Sequence, residues 1–187
     1  MSKWKQETFK LKKKHKWTAK PGHRIFVAGR GAVRFDIPQK WILKPDDDSI
    51  KFYDLEPPDD NIRLECSFNQ LPQADWDSFP LETLMPAVSE DDPRPILSRG
   101  ELIKINRKDL RLVWVESSFQ DPAEDRLAYT RAMIGLGGNV QCLITIDFWT
   151  EHRKLAESVW NNVIDSLKLG VYILDPTTGT PLAPHLN

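Results

Sequence analysis

Serine, histidine and aspartate are the residue types from which a hydrolytic centre is assembled. This chain offers Ser117, Ser118 and Thr150 as nucleophiles, His152 as base and Asp147 as its orienting acid. Asp147 and His152 straddle a predicted strand-to-helix junction. No serine stands in a Gly-x-Ser-x-Gly elbow, so His152 reads as a first-turn helix residue facing water. His15, His23, His152 and His185 lie far apart, and Cys66 and Cys142 belong to no paired metal-ligand motif, so zinc has no sequence signature. Each cysteine falls on the apolar face of a predicted strand and reads as a small hydrophobe. Asp46, Asp47 and Asp48 follow Pro45, and Asp59-Asp60 and Asp91-Asp92 sit in proline-containing loops. Adjacent aspartates lack the alternating ligand spacing of a calcium loop and read as solvated turns. Gly29-Arg30-Gly31 and Gly135-Leu136-Gly137-Gly138 are followed by strands rather than helices, which does not make a phosphate cradle. These residues assign no catalytic group, metal or cofactor, and the expectation is a protein that is not an enzyme.

Binding chemistry has more to work with. Residues 1–34 hold eleven Lys or Arg against the single acid Glu7, while the rest of the chain has 15 basic and 26 acidic residues, for a net charge of −1. A basic arm therefore adjoins an acidic body. In the arm Lys12, Lys13 and Lys14 are contiguous, and Trp4, Phe9 and Trp17 are interspersed. Such a segment can grip nucleic-acid phosphates and stack on bases, lie on an anionic membrane, or fold back on its own acidic domain. The last reading is favoured, because a nucleic-acid binder also shows basic residues on its folded body. Of the seven tryptophans, Trp4, Trp17, Trp76 and Trp149 fall in loops or at segment ends, where an indole anchors a partner or caps a sheet. Lys12, Lys13, Lys14, Trp4, Trp17, Trp76 and Trp149 are the candidate interaction residues.

The positioning elements follow from hydrophobic period. Val140, Cys142, Ile144, Ile146 and Phe148 alternate as a half-buried strand, and Ile62, Leu64, Cys66 and Phe68 do the same. Leu155, Ala156, Val159, Trp160, Val163, Ile164 and Leu167 share one helical face, with Thr150 as N-cap and Gly170 as the left-handed C-terminal residue. Further strands are predicted at 25–27, 33–37, 50–55, 96–106, 110–119 and 126–134, and a proline-interrupted helix at 76–89. Pro176, Pro181 and Pro184 leave the last dozen residues little regular structure. The spacing predicts an arm over 1–22, one domain over 23–170 and a tail over 171–187. Hairpin connections make the sheet antiparallel, with about six or seven strands, in an α+β domain. No apolar run approaches the roughly 18 residues of a membrane span, and the N-terminus lacks a signal peptide's apolar middle, so a soluble cytoplasmic protein is expected.

The run Gly31-Ala-Val-Arg-Phe-Asp-Ile-Pro-Gln-Lys-Trp41, a strand closing in proline and then tryptophan, resembles the opening strand and turn of PsbP-like proteins. Tyr129–Ile134, the Gly135–Asn139 hairpin, Val140–Phe148 and the closing Val163-Ile-Asp-Ser-Leu-Lys-Leu169 extend the resemblance over residues 29–169. That superfamily includes an extrinsic photosystem II subunit, a Ran-GTPase-binding nuclear import factor and small bacterial relatives. The resemblance implies an αβα sandwich used as a protein-binding or assembly module, and it carries over no catalytic residue. Two alternatives stay open: nucleic-acid or anionic-membrane binding through the arm, and a small-ligand-binding domain or enzyme with a dispersed site. A homo-oligomer formed through the arm is a further expectation.

Overall fold

Alternating apolar residues in long runs leave a strand few options but to sit between neighbours, and the strand Val140–Trp149 does so, paired on both sides. The computed structural model describes residues 5–182 apart from Thr8, Asp77, Asp91 and the side chains of Ser89 and Glu90. In chain order the strands are β1 (His23–Ala28), β2 (Val33–Pro38), β3 (Ile42–Pro45), β4 (Ile50–Tyr53), β5 (Ile62–Gln70), β6 (Ile96–Arg99), β7 (Ile103–Asn106), β8 (Arg111–Asp121), β9 (Arg126–Gly137) and β10 (Val140–Trp149). They are followed by β11 (Lys168–Leu169), β12 (Ile173–Asp175) and β13 (Thr180–Pro181). The helices are α1 (Met85–Glu90) and α2 (Arg153–Ser166).

The main sheet has eight strands in the order β3-β4-β5-β10-β9-β8-β6, with β7 also paired to β8. All of its pairings are antiparallel, so the molecule is an α+β protein, as expected. The sheet is seven positions wide, as expected, because β6 and β7 lie end to end along β8. One expectation changes here: β1–β2 lie outside it, forming a separate three-stranded sheet with β11. That small sheet and α2 together cover one face of the main sheet, where Phe26, Phe35 and Phe52 meet at centroid distances of 4.9–5.6 Å. On the other face a 3-10 turn (Leu81–Leu84) and the six-residue α1 cover a smaller core of Leu81, Met85, Val113, Val115, Ile134 and Leu136.

Local departures have local causes. The expected helix at 76–89 begins only at Leu81, because Pro80 lacks the N–H a helix needs and Arg111 binds the carbonyls of Trp76 and Phe79. The expected strand at 96–106 is broken between Arg99 and Ile103, and β3 was not anticipated. Helix α2 is preceded by a 3-10 turn (Thr150–His152), and the Thr150 hydroxyl donates to the Leu127 carbonyl rather than capping the helix. Leu155, expected on the buried face, is 48% exposed, and Asn162 is buried instead because its amide donates to the Asp36 carbonyl at 3.1 Å. The helix stops at Ser166, where Arg107 donates to the carbonyls of Ile164, Asp165 and Leu167 at 3.0, 3.2 and 2.5 Å. Lys168 and Leu169 then pair with Arg34 and Val33.

Gly31 makes this junction possible. Its φ is +103°, and an added Cβ would sit 2.3 Å from the Val171 carbonyl oxygen. Gly31→Ala is expected to cost about 1–3 kcal/mol, read as a lowered urea midpoint at unchanged slope. Gly22→Ala has open space around it and should cost less. Equal losses at the two sites would contradict the steric argument.

Candidate interaction surface

Both ends of the chain build one surface. Beyond β12 the Asp175 carboxylate accepts from the Thr177 N–H at 2.9 Å and its hydroxyl at 2.6 Å, folding Pro176–Gly179 into a turn that returns as β13. Of the last dozen residues, where little regular structure is expected, the described ones hold only the two-residue β13, and side-chain acceptors organise the turn before it. The arm runs alongside. The Lys12 N–H donates to Thr177 O at 3.0 Å and the Lys16 N–H to Thr178 O at 2.7 Å. The Lys12 ammonium reaches Asp175 at 3.0 Å. The Thr177 hydroxyl, followed by Lys12, holds the Asp175 carboxyl far below its ordinary value.

Trp17 closes the contact. Its indole N–H donates to Pro176 O at 2.7 Å, and the Arg34 guanidinium lies 4.7 Å above the ring. Gly179, at φ +69°, leaves room for that ring, since a Cβ there would meet it at 2.8 Å. With Lys12 and Trp17 engaged by the hairpin, Lys13 and Lys14 form an exposed turn with no partner among the described residues. Phe9 and Leu11 in the arm and Leu182 after β13 are also exposed, and Leu174 in β12 is 65% exposed.

The remaining candidates lie elsewhere. The Trp76 N–H donates to Pro72 O at 2.9 Å and its ring meets Phe79 edge-on, so it staples the segment before α1. Trp149 ends β10 beneath the Arg126 guanidinium at 4.4 Å, with Arg126 also ion-paired to Glu151. Trp4 lies outside the described residues. The structure thus gathers Lys12, Lys13, Lys14 and Trp17 and leaves Trp76 and Trp149 apart from them.

One cluster escaped the sequence reading. Cross-strand register sets Arg63, Asp147, Thr130, Ser117 and Arg99 in one row on the α1 face. Asp147 pairs with Arg63 at 2.6 Å and Arg94 at 3.0 Å, and Arg94 also holds Asp92 at 2.7 Å and stacks 4.1 Å over Phe119. Burial works against the Arg94 charge, but its bonds to Asp92 and Asp147 outweigh it and raise the pKa. The cavity beside this row is about 50 Å³, with Ser117, Thr130 and Thr145 among its lining, which is room for a few waters rather than a metabolite. Thr130 Oγ1 and Asp147 Oδ1 are buried there without a hydrogen-bond partner, although Asp147 Oδ1 is the atom within ion-pair distance of Arg94. Asp147 faces this side of the sheet whereas His152 leads into α2 on the opposite side, so the two do not form a dyad. Only cross-strand register reveals the row, and no spacing within one strand signals it.

Cys66 and Cys142 are buried and unpaired, and burial pushes both thiols up, Cys142 to about 12. Among the described residues no group of three or more His, Cys, Asp or Glu is placed to hold a metal ion. No helix among them is long and apolar enough to cross a membrane.

A family model described as Alr1449 matches residues 24–173. The chain belongs to the Alr1449 family. An Alr1449 relative, the uncharacterized protein alr1449 of Nostoc sp. (strain PCC 7120 / SAG 25.82 / UTEX 2576), is 50% identical over 177 residues, covering 94% of this chain and 92% of the relative. Among solved structures, LpqN of Mycobacterium tuberculosis, involved in cell envelope biogenesis, superposes with a TM-score of 0.56 at 11% identity, over 78% of this chain and 89% of LpqN. Cyanobacterial PsbP (CyanoP) from Synechocystis sp. PCC 6803 gives 0.51 at 11% identity, over 81% and 94% of the two chains. The Saccharomyces cerevisiae Ran-binding protein Mog1p gives 0.50 at 9% identity, over 79% and 95%. These likenesses establish that this Alr1449 member has the PsbP-like fold.

Proposed function

We propose that the protein is a cytoplasmic, non-enzymatic interaction or assembly module that engages a protein partner through the surface built from its two ends. One observation carries this reading: Lys12 and Trp17 tie the arm, with its exposed Lys13, Lys14, Phe9 and Leu11, to the 173–181 hairpin, which carries the exposed Leu174. An arm held in place loses less conformational entropy on binding than a free one. The partner this surface fits has an apolar centre and an acidic rim. Mog1p, with the same fold, is a Ran-binding protein, which supports a binding role for this architecture. Two buried, unpaired cysteines agree with a reducing compartment.

Affinity capture from the native cell, followed by mass spectrometry, tests the reading. The intact chain should retain a protein partner after nuclease treatment, and Lys13→Glu/Lys14→Glu should weaken that binding roughly tenfold or more. Leu174→Asp should weaken it independently of salt. Retention untouched by either variant, or retention that vanishes with nuclease or transfers to anionic vesicles, would overturn it.

A further inference from the structure

The two edges of the main sheet are built differently. At β3, Pro45 has no N–H to offer and Asp46, Asp47 and Asp48 follow it, which closes that edge to another strand. At the other edge β6 and β7 pair with β8 on one side and with no strand on the other, among the described residues. Here Leu97 is 61% exposed and Leu102 and Ile103 are exposed as well. Arg99 and Glu101 are exposed and have no ion-pair partner among the described residues. Apolar residues in this number on an open edge are the feature that soluble proteins otherwise avoid.

The segment is also complementary to itself. A two-fold axis through Gly100 sets each residue against the one equally far on the other side of Gly100 in a second copy. Arg99 then faces Glu101 of the partner subunit, Glu101 faces Arg99 of the partner subunit, and Leu97 meets Ile103 of the partner subunit. We infer that residues 96–106 form the interface of a two-fold dimer, in which the edges of two copies pair antiparallel about Gly100. The one ion pair therefore forms twice with the correct sign, which a parallel arrangement would not provide. Gly100 carries no side chain at the axis, where the two backbones come closest.

The irregularities of this edge suit a closed pair. The register with β8 shifts between Ile96 and Ser98, and the strand is interrupted between Arg99 and Ile103. Such breaks prevent a long flat template, so pairing is confined to a short segment and one copy satisfies the other. This interface is independent of the arm surface, which lies on the segment beyond β11.

Sedimentation velocity on the full chain over a concentration series decides the matter. A species of twice the 21.6 kDa chain mass is expected to grow with concentration. Arg99→Glu places like charges opposite one another at two positions and should raise the dimer dissociation constant roughly tenfold. Glu101→Arg should do the same, and the double variant Arg99→Glu/Glu101→Arg should restore the dimer, a rescue that a folding defect would not give. Lys13→Glu/Lys14→Glu should leave the dimer intact. A single-chain mass at every concentration, charge reversals without effect, or a dimer lost only in the arm variant would each overturn the inference.

Discussion

Replacing Trp160 with alanine is expected to remove about 3–5 kcal/mol of stability, the largest loss from any single truncation in α2. The side chain is fully buried and packs edge-on against Trp114, with centroids 5.6 Å apart and planes at 70°. Truncation would open a void at the point where α2 meets the main sheet, and a core packed as densely as a crystal relaxes only partly into such a void. Against a total of about 5–15 kcal/mol for a domain, this loss would leave a protein unfolded well below its usual denaturant midpoint. Trp160→Phe should cost far less. The Trp160 Nε1 has no hydrogen-bond partner among the described residues, so phenylalanine keeps the aromatic contact and sacrifices no hydrogen bond. Urea titrations of the two variants check this, and equal midpoints would show that the indole's packing is not what matters.

Glu116→Ala is expected to cost a comparable amount, about 3–5 kcal/mol, because it strands a buried cation. Arg131 is 5% exposed, lies 5.3 Å from the Trp114 ring and 5.8 Å from that of Phe148, and donates to Glu116 at 2.8 Å. Arg153 donates to the same carboxylate at 2.8 and 3.1 Å from a half-exposed position above Tyr129. Its removal should cost only about 1 kcal/mol, since water can replace it around Glu116. Burial alone would push the Glu116 carboxyl up, but the hydrogen bonds from Arg153 and Arg131 outweigh it and hold the pKa below the ordinary value. The sign follows from that depression. The ion pair's contribution is complete above the unfolded-state value of about 4.3, and is lost as pH falls through the lower folded-state value. Wild-type stability should therefore drop in that acid range, and Glu116→Ala should flatten this part of the profile. A variant with the wild-type acid profile would remove Glu116 from the account.

The polar cluster on the opposite face shows why sequence spacing misses some arrangements. Asp147 looked like half of a dyad with His152 because the two are close along the chain. The sheet separates them, and the partners Asp147 finds, Arg63 and Arg94, stand 84 and 53 positions away. The arm presents the same lesson from the other direction. Its lysines were recognised from charge alone, but the residue that takes up Lys12 is Asp175, near the far end of the chain.

Strands β5 and β10 were legible because a two-residue period ties burial to chemistry at every position, whatever the neighbours are. The apolar stripe of α2 was legible for the same reason, and the antiparallel sheet followed from hairpin-length connections. Tertiary structure alone decided where α2 ends, that β1 and β2 leave the main sheet, and that the strand at 96–106 breaks in the middle. The first two depend on bonds to residues distant in sequence: the Arg107 guanidinium on the last carbonyls of α2, and Lys168 and Leu169 on β2. Periodicity records which face of an element is dry. It holds no information about which polar group, many residues away, will satisfy the backbone at its ends.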